Sequence, residues 1–92
     1  MKVYNLKLVL SDKVCGKKCI EVGNFKTVLD AEIVKSAYFV QSNFGGPRVL
    51  ETKIEQKNCT EKTKAFSTLN DFLKVNPDFN NAVKLVSLDY EL

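Results

Sequence analysis

The chain has 92 residues, of which 45% are hydrophobic and 27% are charged, and its formal net charge is +3. This length and balance predict one compact domain over residues 1–92 and are unlike the composition of a disordered chain. The mild positive charge argues against mimicry of nucleic acid, and the sequence contains no histidine, which removes the Ser-His-Asp and Cys-His catalytic arrangements.

The first quarter of the chain predicts a β-hairpin. Residues 3–10 alternate as in a strand with one buried face, and a second alternating stretch around Ile20 and Val22 predicts a shorter strand. The apolar face of the first strand consists of Tyr4, Leu6, Leu8 and Leu10. The pair Gly23-Asn24 interrupts the pattern and ends the hairpin.

The stretch VCGKKCI, residues 14–20, connects the two strands. We expect Gly16-Lys17-Lys18 to form a three-residue loop, which would place Cys15 opposite Cys19 and leave a disulfide or redox role open. A structural zinc site needs four ligands, and Cys15, Cys19 and Cys59 supply only three. The sequence therefore predicts a plain hairpin turn, with no metal and no cofactor.

A helix is predicted from Thr27, which is a good N-cap, and carries apolar residues at helical spacing. These residues are Leu29, Ile33, Ala37 and Val40, widened by Val34 and Tyr38. The segment NFGGPRV, residues 43–49, ends the helix, because glycine suits a left-handed C-cap and proline prevents continuation. Phosphate-binding glycine loops precede a helix, whereas Gly45-Gly46 follows one, so we interpret this segment as a C-cap turn.

The second half of the chain predicts three more elements. Residues 49–56 alternate as a strand with a charged outer face, and Ser67 or Thr68 caps a short helix that ends before Asn76-Pro77. Residues 82–92 alternate again and predict a long C-terminal strand. The order β-β-α-β-α-β predicts an α+β fold, with one mainly antiparallel sheet of about four strands and two helices packed on one face.

Two sets of residues are candidates for contact with a partner. Lys13, Lys17 and Lys18 form a basic hairpin tip, which would bind nucleic acid through phosphates, although no aromatic residue lies between the lysines for base stacking. Phe39 and Phe44 are hard to bury completely; core packing is the favoured interpretation of each ring alone, and the alternative is a partly exposed aromatic patch of the kind that anchors protein interfaces. Arg48, the single arginine, is a further candidate contact.

No catalytic constellation survives in this sequence, so the leading hypothesis is a small, non-enzymatic, cytoplasmic protein-binding module. One version is an inhibitor of the phage or mobile-element type, such as an anti-CRISPR or other anti-defence protein, that blocks a host enzyme by direct binding. The alternative is a nucleic-acid-binding accessory protein that uses the lysine-rich hairpin. A homodimer formed by pairing of the terminal strands is a third hypothesis. No apolar run approaches the roughly 20 residues of a membrane span, so no membrane partner is expected.

Overall fold

The computed structural model describes residues 2–58 and 64–90, which form an α+β fold with three antiparallel strands and three α-helices. The strands are β1 (Lys2–Asp12), β2 (Gly16–Phe25) and β3 (Val49–Asn58). The helices are α1 (Val28–Asn43), α2 (Leu69–Val75) and α3 (Asn80–Tyr90), with a short 3-10 helix at Pro77–Phe79.

The strand β1 lies at the centre of the sheet, in the order β2-β1-β3. Leu6, Leu8 and Leu10 point to the face that the helices cover, and all three are buried. The β1–β2 register shifts after Leu6, and the β1–β3 register shifts after Val9. From Glu51 to Asn58 the pairing of β3 with β1 is unbroken, with Glu51 opposite Val9 and Asn58 opposite Lys2.

The helix α1 begins and ends where its capping residues predict. The Thr27 side-chain oxygen accepts a hydrogen bond from the Asp30 backbone N–H at 3.2 Å. At the other end, the backbone N–H groups of Phe44 and Gly46 both donate to the Gln41 carbonyl at 3.0 Å. Gly45 has a positive φ of 95°, a conformation that side chains other than glycine's disfavour, which confirms the predicted C-cap turn.

An aromatic cluster joins α2 and the 3-10 helix to the sheet. The Phe72 ring, 1% exposed, has its centroid 5.9 Å from Phe25, 5.5 Å from Phe66 and 5.7 Å from Phe79. Phe79 in turn packs against Tyr38 of α1 at 4.6 Å, and burial raises the pKa of the Tyr38 hydroxyl. The chain of rings therefore extends from β2 to α1, and Thr68 caps α2 as one of the two predicted candidates.

The predicted C-terminal strand is wrong, because residues 80–90 form α3. Alternation at Val86 and Leu88 suggested a strand, but Ala82, Val83 and Val86 are also spaced as one face of a helix, and all three are buried. This face packs against Ile33 and Ala37 of α1 in a second core cluster. A short apolar run fits both the two-residue period of a strand and the 3.6-residue period of a helix, and packing against α1 selects the helix. The sheet of the described residues therefore has three strands rather than the predicted four or so.

Truncation of Phe72 tests the role of the aromatic cluster. We expect Phe72→Ala to lower the free energy of unfolding by about 3–5 kcal/mol, because it removes a buried ring that contacts three others. Phe39→Ala is the matched control: Phe39 is 46% exposed, so its loss should cost less than about 1 kcal/mol. Urea unfolding followed by circular dichroism measures both, and equal losses would contradict this account of the core.

Candidate functional site

The hairpin turn lies three residues earlier in the chain than the sequence predicts. Asp12 pairs with Gly16, so the loop is Lys13-Val14-Cys15 and not Gly16-Lys17-Lys18. The Asp12 Oδ1 atom accepts a hydrogen bond from the Val14 N–H at 2.8 Å, and Gly16 has a positive φ of 81°. A side chain that binds its own backbone two residues on and a left-handed glycine together fix this turn, so glycine closes the loop instead of opening it.

The shifted turn changes the relation between Cys15 and Cys19. Cys15 lies in the loop, whereas Cys19 lies within β2 opposite Val9, so the two thiols do not face each other across the hairpin as expected. Both are free and exposed. Cys19 is three positions beyond Gly16 in β2, which puts about 10 Å between these two Cα atoms, and Cys15 precedes Gly16 on the loop side. The two cysteines are therefore not a directly opposed cross-strand pair of the kind that a disulfide bridges. The third cysteine, Cys59, lies outside the described residues.

The basic residues of the hairpin lie on both sides of the sheet. Lys17 is opposite Ser11 and Lys18 is opposite Leu10, and directly opposed residues share a face. Lys18 is therefore on the helix-covered side, with Leu10, and Lys17 is on the other side. Lys13 lies in the loop between the strands, and all three lysines are exposed.

Arg48 lies at the same end of the sheet as the hairpin loop. The Ser11 backbone N–H donates a hydrogen bond to the Arg48 carbonyl at 2.8 Å, so the start of β3 lies beside the end of β1. Val14, at the apex of the loop, is 92% exposed. We name this region the hairpin-end surface; it consists of Lys13, Val14, Lys17, Lys18, Phe44 and Arg48. The lysines and Arg48 are separated in sequence by 29 residues or more, and only the fold brings them together.

Phe44 belongs to this end and is strongly exposed, at 78%. It precedes Arg48 by four residues, so its Cα lies within about 14 Å of the Arg48 Cα by chain length alone. Its ring lines a groove between the end of α1 and the start of α3, together with Val40 and Leu85. The Gln41 Nε2 atom donates to the Asp78 carbonyl at 2.8 Å, which links α1 to the 3-10 helix beside this groove.

Phe39 does not share this groove. It follows the buried Ala37 by two residues, or about 200° around the helix, so it points away from the core and away from α3. The predicted Phe39–Phe44 patch is therefore two separate exposed rings, of which Phe44 is the one that lies four residues before Arg48 in the chain. Phe39 lies within α1, whereas Phe44 is its C-cap residue, where the chain turns off the helical path.

The face of the sheet opposite the helices contains a polar arrangement that the sequence did not predict. Asn5, 1% exposed, donates from its Nδ2 atom to Glu21 Oε1 at 2.8 Å and to Asn24 Oδ1 at 2.9 Å. The buried Asn5 Oδ1 atom accepts no hydrogen bond from the described residues. The alternation of apolar and polar residues in β1 predicts that Asn5 lies on the solvent-facing side, and nothing in the sequence indicates that this polar side chain is buried.

A shallow depression of about 750 Å³ lies on the same face, lined by side chains of all three strands. Its lining residues include Lys7, Val9, Cys19, Glu21, Glu51 and Lys53. Next to it, Lys53 Nζ contacts Glu55 Oε1 at 2.5 Å. This contact raises the pKa of the Lys53 ammonium and lowers the pKa of the Glu55 carboxyl, through their hydrogen bond and opposite charges. Within the described ranges, no three His, Cys, Asp or Glu side chains are grouped so as to hold a metal ion.

Comparison with models of protein families, with curated proteins and with solved structures finds no match to this chain. The helices that the structure describes are all too short or too polar to cross a membrane. The candidate functional site is therefore chosen on geometry alone, and it is the hairpin-end surface, which combines exposed apolar and basic side chains.

The position of the two hairpin cysteines can be tested by oxidation. In the variant Cys59→Ser, we expect mild oxidation to leave Cys15 and Cys19 without a bond between them inside one chain, because Cys15 lies in the loop and Cys19 lies within β2 opposite Val9. Mass spectrometry of the non-reduced monomer should show two alkylatable thiols. An intrachain Cys15–Cys19 disulfide that forms without unfolding would contradict the observed turn.

The buried amide of Asn5 predicts a pH-dependent variant. In Asn5→Asp, the introduced carboxyl lacks the two N–H donors of the Asn5 amide and lies against the Glu21 carboxylate. The other charged groups nearby are Glu55, opposite on β3, and Lys7, two residues further along β1. Burial and the Glu21 charge raise the folded-state pKa of the introduced carboxyl above the unfolded value of about 3.9, so stability is lost as the pH rises through the folded-state pKa. We expect a loss of about 2–4 kcal/mol at neutral pH.

This loss should shrink, relative to wild type, well below a pH of about 4, where the introduced carboxyl is protonated in both states and only the cost of the lost amide hydrogen bonds remains. Chemical unfolding at several pH values measures the difference. Asn5→Ala is the control, since it removes the same amide without adding a charge and its cost should vary less with pH. A cost of Asn5→Asp that is independent of pH would show that position 5 is hydrated.

Proposed function

We propose that the chain is a small, non-enzymatic module of the cytoplasm that binds a protein partner through the hairpin-end surface. The observation that carries the proposal is the exposure of Phe44, 78%, and Val14, 92%, among the cationic side chains at one end of the fold. An exposed aromatic ring is what a partner's pocket buries at the centre of an interface. The chemistry of the surface fits a partner with an apolar pocket and an acidic rim.

Each part of the surface has a distinct role in this proposal. Phe44 supplies the apolar anchor, and the groove beside it, lined by Val40 and Leu85, gives the partner a second apolar contact. Lys13, Lys17, Lys18 and Arg48 provide a positive field that attracts an acidic surface and increases the association rate. Asp12, the acidic residue of the turn, is engaged with the Val14 N–H.

The specific form of the proposal is a compact inhibitor that covers a site on a host enzyme, such as an anti-CRISPR or other anti-defence protein of a phage or mobile element. A hairpin tip that projects Val14 beyond the sheet is suited to enter a cleft, and the small size of the domain suits a one-to-one blocking complex. This form rests on shape and size alone, whereas the general proposal rests on the exposed apolar and basic residues.

A second candidate function is nucleic-acid binding through the same cationic residues. The observation in its favour is that the fold adds Arg48 and the exposed Phe44 ring to the three hairpin lysines. Against it, Lys17 and Lys18 lie on opposite sides of the sheet, so the hairpin does not form a single basic track for a phosphate backbone. The aliphatic Val14 at the apex offers no base-stacking surface.

Affinity capture from a lysate of the native host tests the proposal, with wild type and two matched pairs of variants. The first pair is Phe44→Ala and Phe39→Ala, which remove an exposed ring from inside and outside the surface. We expect Phe44→Ala to weaken binding of the captured protein by about tenfold or more, as hot-spot residues do, and Phe39→Ala to leave it unchanged.

The second pair neutralises three exposed lysines at a time. Lys13→Gln, Lys17→Gln and Lys18→Gln together should slow association, whereas Lys64→Gln, Lys74→Gln and Lys84→Gln together should not. A protein retained at high salt and lost with Phe44→Ala supports the module. Recovery of nucleic acid alone, released by salt and by the hairpin lysine changes, replaces it with the second function. Capture that neither pair alters would exclude the hairpin-end surface.

A further inference from the structure

The outer edge of β3 has no neighbour among the described residues. The sheet order is β2-β1-β3, so β3 uses one edge to pair with β1 and leaves the backbone groups of its other edge free. An unpaired edge of a long strand is a template for a further strand. From Glu51 to Asn58 the strand pairs with β1 in unbroken register, which makes it a regular edge and not an irregular one.

The side chains along this edge alternate in charge as well as in direction. Glu51, Lys53, Glu55 and Lys57 are opposite Val9, Lys7, Asn5 and Val3, so all four lie on the face away from the helices. On the helix-covered face, the same stretch carries Thr52, Ile54 and Gln56, of which Thr52 and Ile54 are half-buried. The charge order along the open face is therefore minus, plus, minus, plus.

We propose that the β3 edges of two copies of this chain pair antiparallel about a two-fold axis at Ile54, which gives a continuous six-stranded sheet. In this register Glu51 of each copy lies opposite Lys57 of the other, and Lys53 lies opposite Glu55. All four charged positions of each edge then meet the opposite charge, which favours cross-strand pairing. On the other face, Ile54 meets Ile54 and Thr52 meets Gln56.

Other registers do not have this property. A shift of two positions in either direction places Glu51 opposite Glu55 and Lys53 opposite itself, or Lys53 opposite Lys57 and Glu55 opposite itself. Like charges directly opposed across strands are destabilising. A shift of one position puts Ile54 opposite a charged residue and turns the helices of the two copies to opposite faces. The alternating order therefore specifies one long register.

The charges on β3 differ from those that protect an edge. Protected edges carry charges that repel every incoming strand, and a row of lysines is typical. Here the row is self-complementary: a shift of two positions opposes like charges, and the register centred on Ile54 is the one that pairs all four charged positions. In the isolated chain Lys53 instead contacts Glu55 of its own strand, with the Lys53 side chain 68% exposed, and pairing would exchange this contact for the same contact between copies.

The edge of β2 fits a second copy less well. Its end is already occupied, since Phe25 forms a bridge with Phe66, whose N–H donates to the Asn24 carbonyl at 2.8 Å. Residues 16–21 remain open, and homotypic pairing in the register centred on Cys19 would place Cys19 opposite Cys19. Pairing through β2 is therefore an alternative form of the dimer, and it would be recognised by a disulfide between the two Cys19 residues.

The test is a charge exchange between two variants. Glu51→Lys with Glu55→Lys makes the edge wholly positive, and Lys53→Glu with Lys57→Glu makes it wholly negative. Sedimentation equilibrium from about 1 μM to about 1 mM covers the range in which a small interface dissociates. We expect wild type to dimerise in this range, each variant alone to dissociate at least about tenfold more easily, and an equimolar mixture of the two to recover dimer.

Recovery in the mixture requires both variants to be folded, so it distinguishes loss of pairing from loss of structure. A second measurement fixes the register, in a chain with Cys15, Cys19 and Cys59 changed to serine. Ile54→Cys should then oxidise to a disulfide-linked dimer, and Leu50→Cys, which would face Asn58, should not. A monomer at all concentrations, or a dimer lost with Cys19→Ser and insensitive to the charge exchange, overturns the proposal. Phe44→Ala should leave the dimer intact, which separates this result from the partner-binding surface.

Discussion

The Phe72 ring packs against rings from β2, the segment before α2 and the 3-10 helix, and this contact sets the position of the helical layer on the sheet. Phe79 extends the contact to Tyr38 of α1, so helices that are distant in sequence are tied to one aromatic cluster. Close packing also reaches the backbone of β2: a Cβ added at Gly23 would lie 2.8 Å from the Phe66 ring. Because the helices pack on one face of the sheet, the other face carries the charged side chains of β3.

The same constraint produces the hairpin-end surface. Because α1 crosses the helix-covered face and ends at Phe44, the chain re-enters the sheet beside the end of β1, where Ser11 binds the Arg48 carbonyl. The hairpin tip, the end of α1 and the start of β3 therefore meet at one end of the molecule. Three lysines, one arginine and two exposed apolar side chains collect there, although no short stretch of sequence contains them.

The two proposed surfaces use different parts of the sheet and are geometrically compatible. The strand β3 begins at the hairpin end and runs away from it, so antiparallel pairing of two copies would place their hairpin ends at opposite ends of the joined sheet. A dimer of this kind would present two partner-binding surfaces facing away from each other. Such an assembly would gain avidity only for partners whose sites match that separation.

Local chemistry in the sequence determined the hairpin, both caps of α1, the strand β3 and the short helix α2, because alternation, capping residues and glycine act within a few residues. The sequence also determined the charge order along β3. Tertiary structure alone decided that residues 80–90 are a helix, since their apolar spacing suits two periods and burial against Ile33 and Ala37 selects one. The turn at Lys13-Val14-Cys15 is fixed locally by Asp12 and Gly16, although the alternation pattern did not locate it. Tertiary structure alone buried Asn5 and brought Arg48 to the lysines, because both depend on contacts between distant segments.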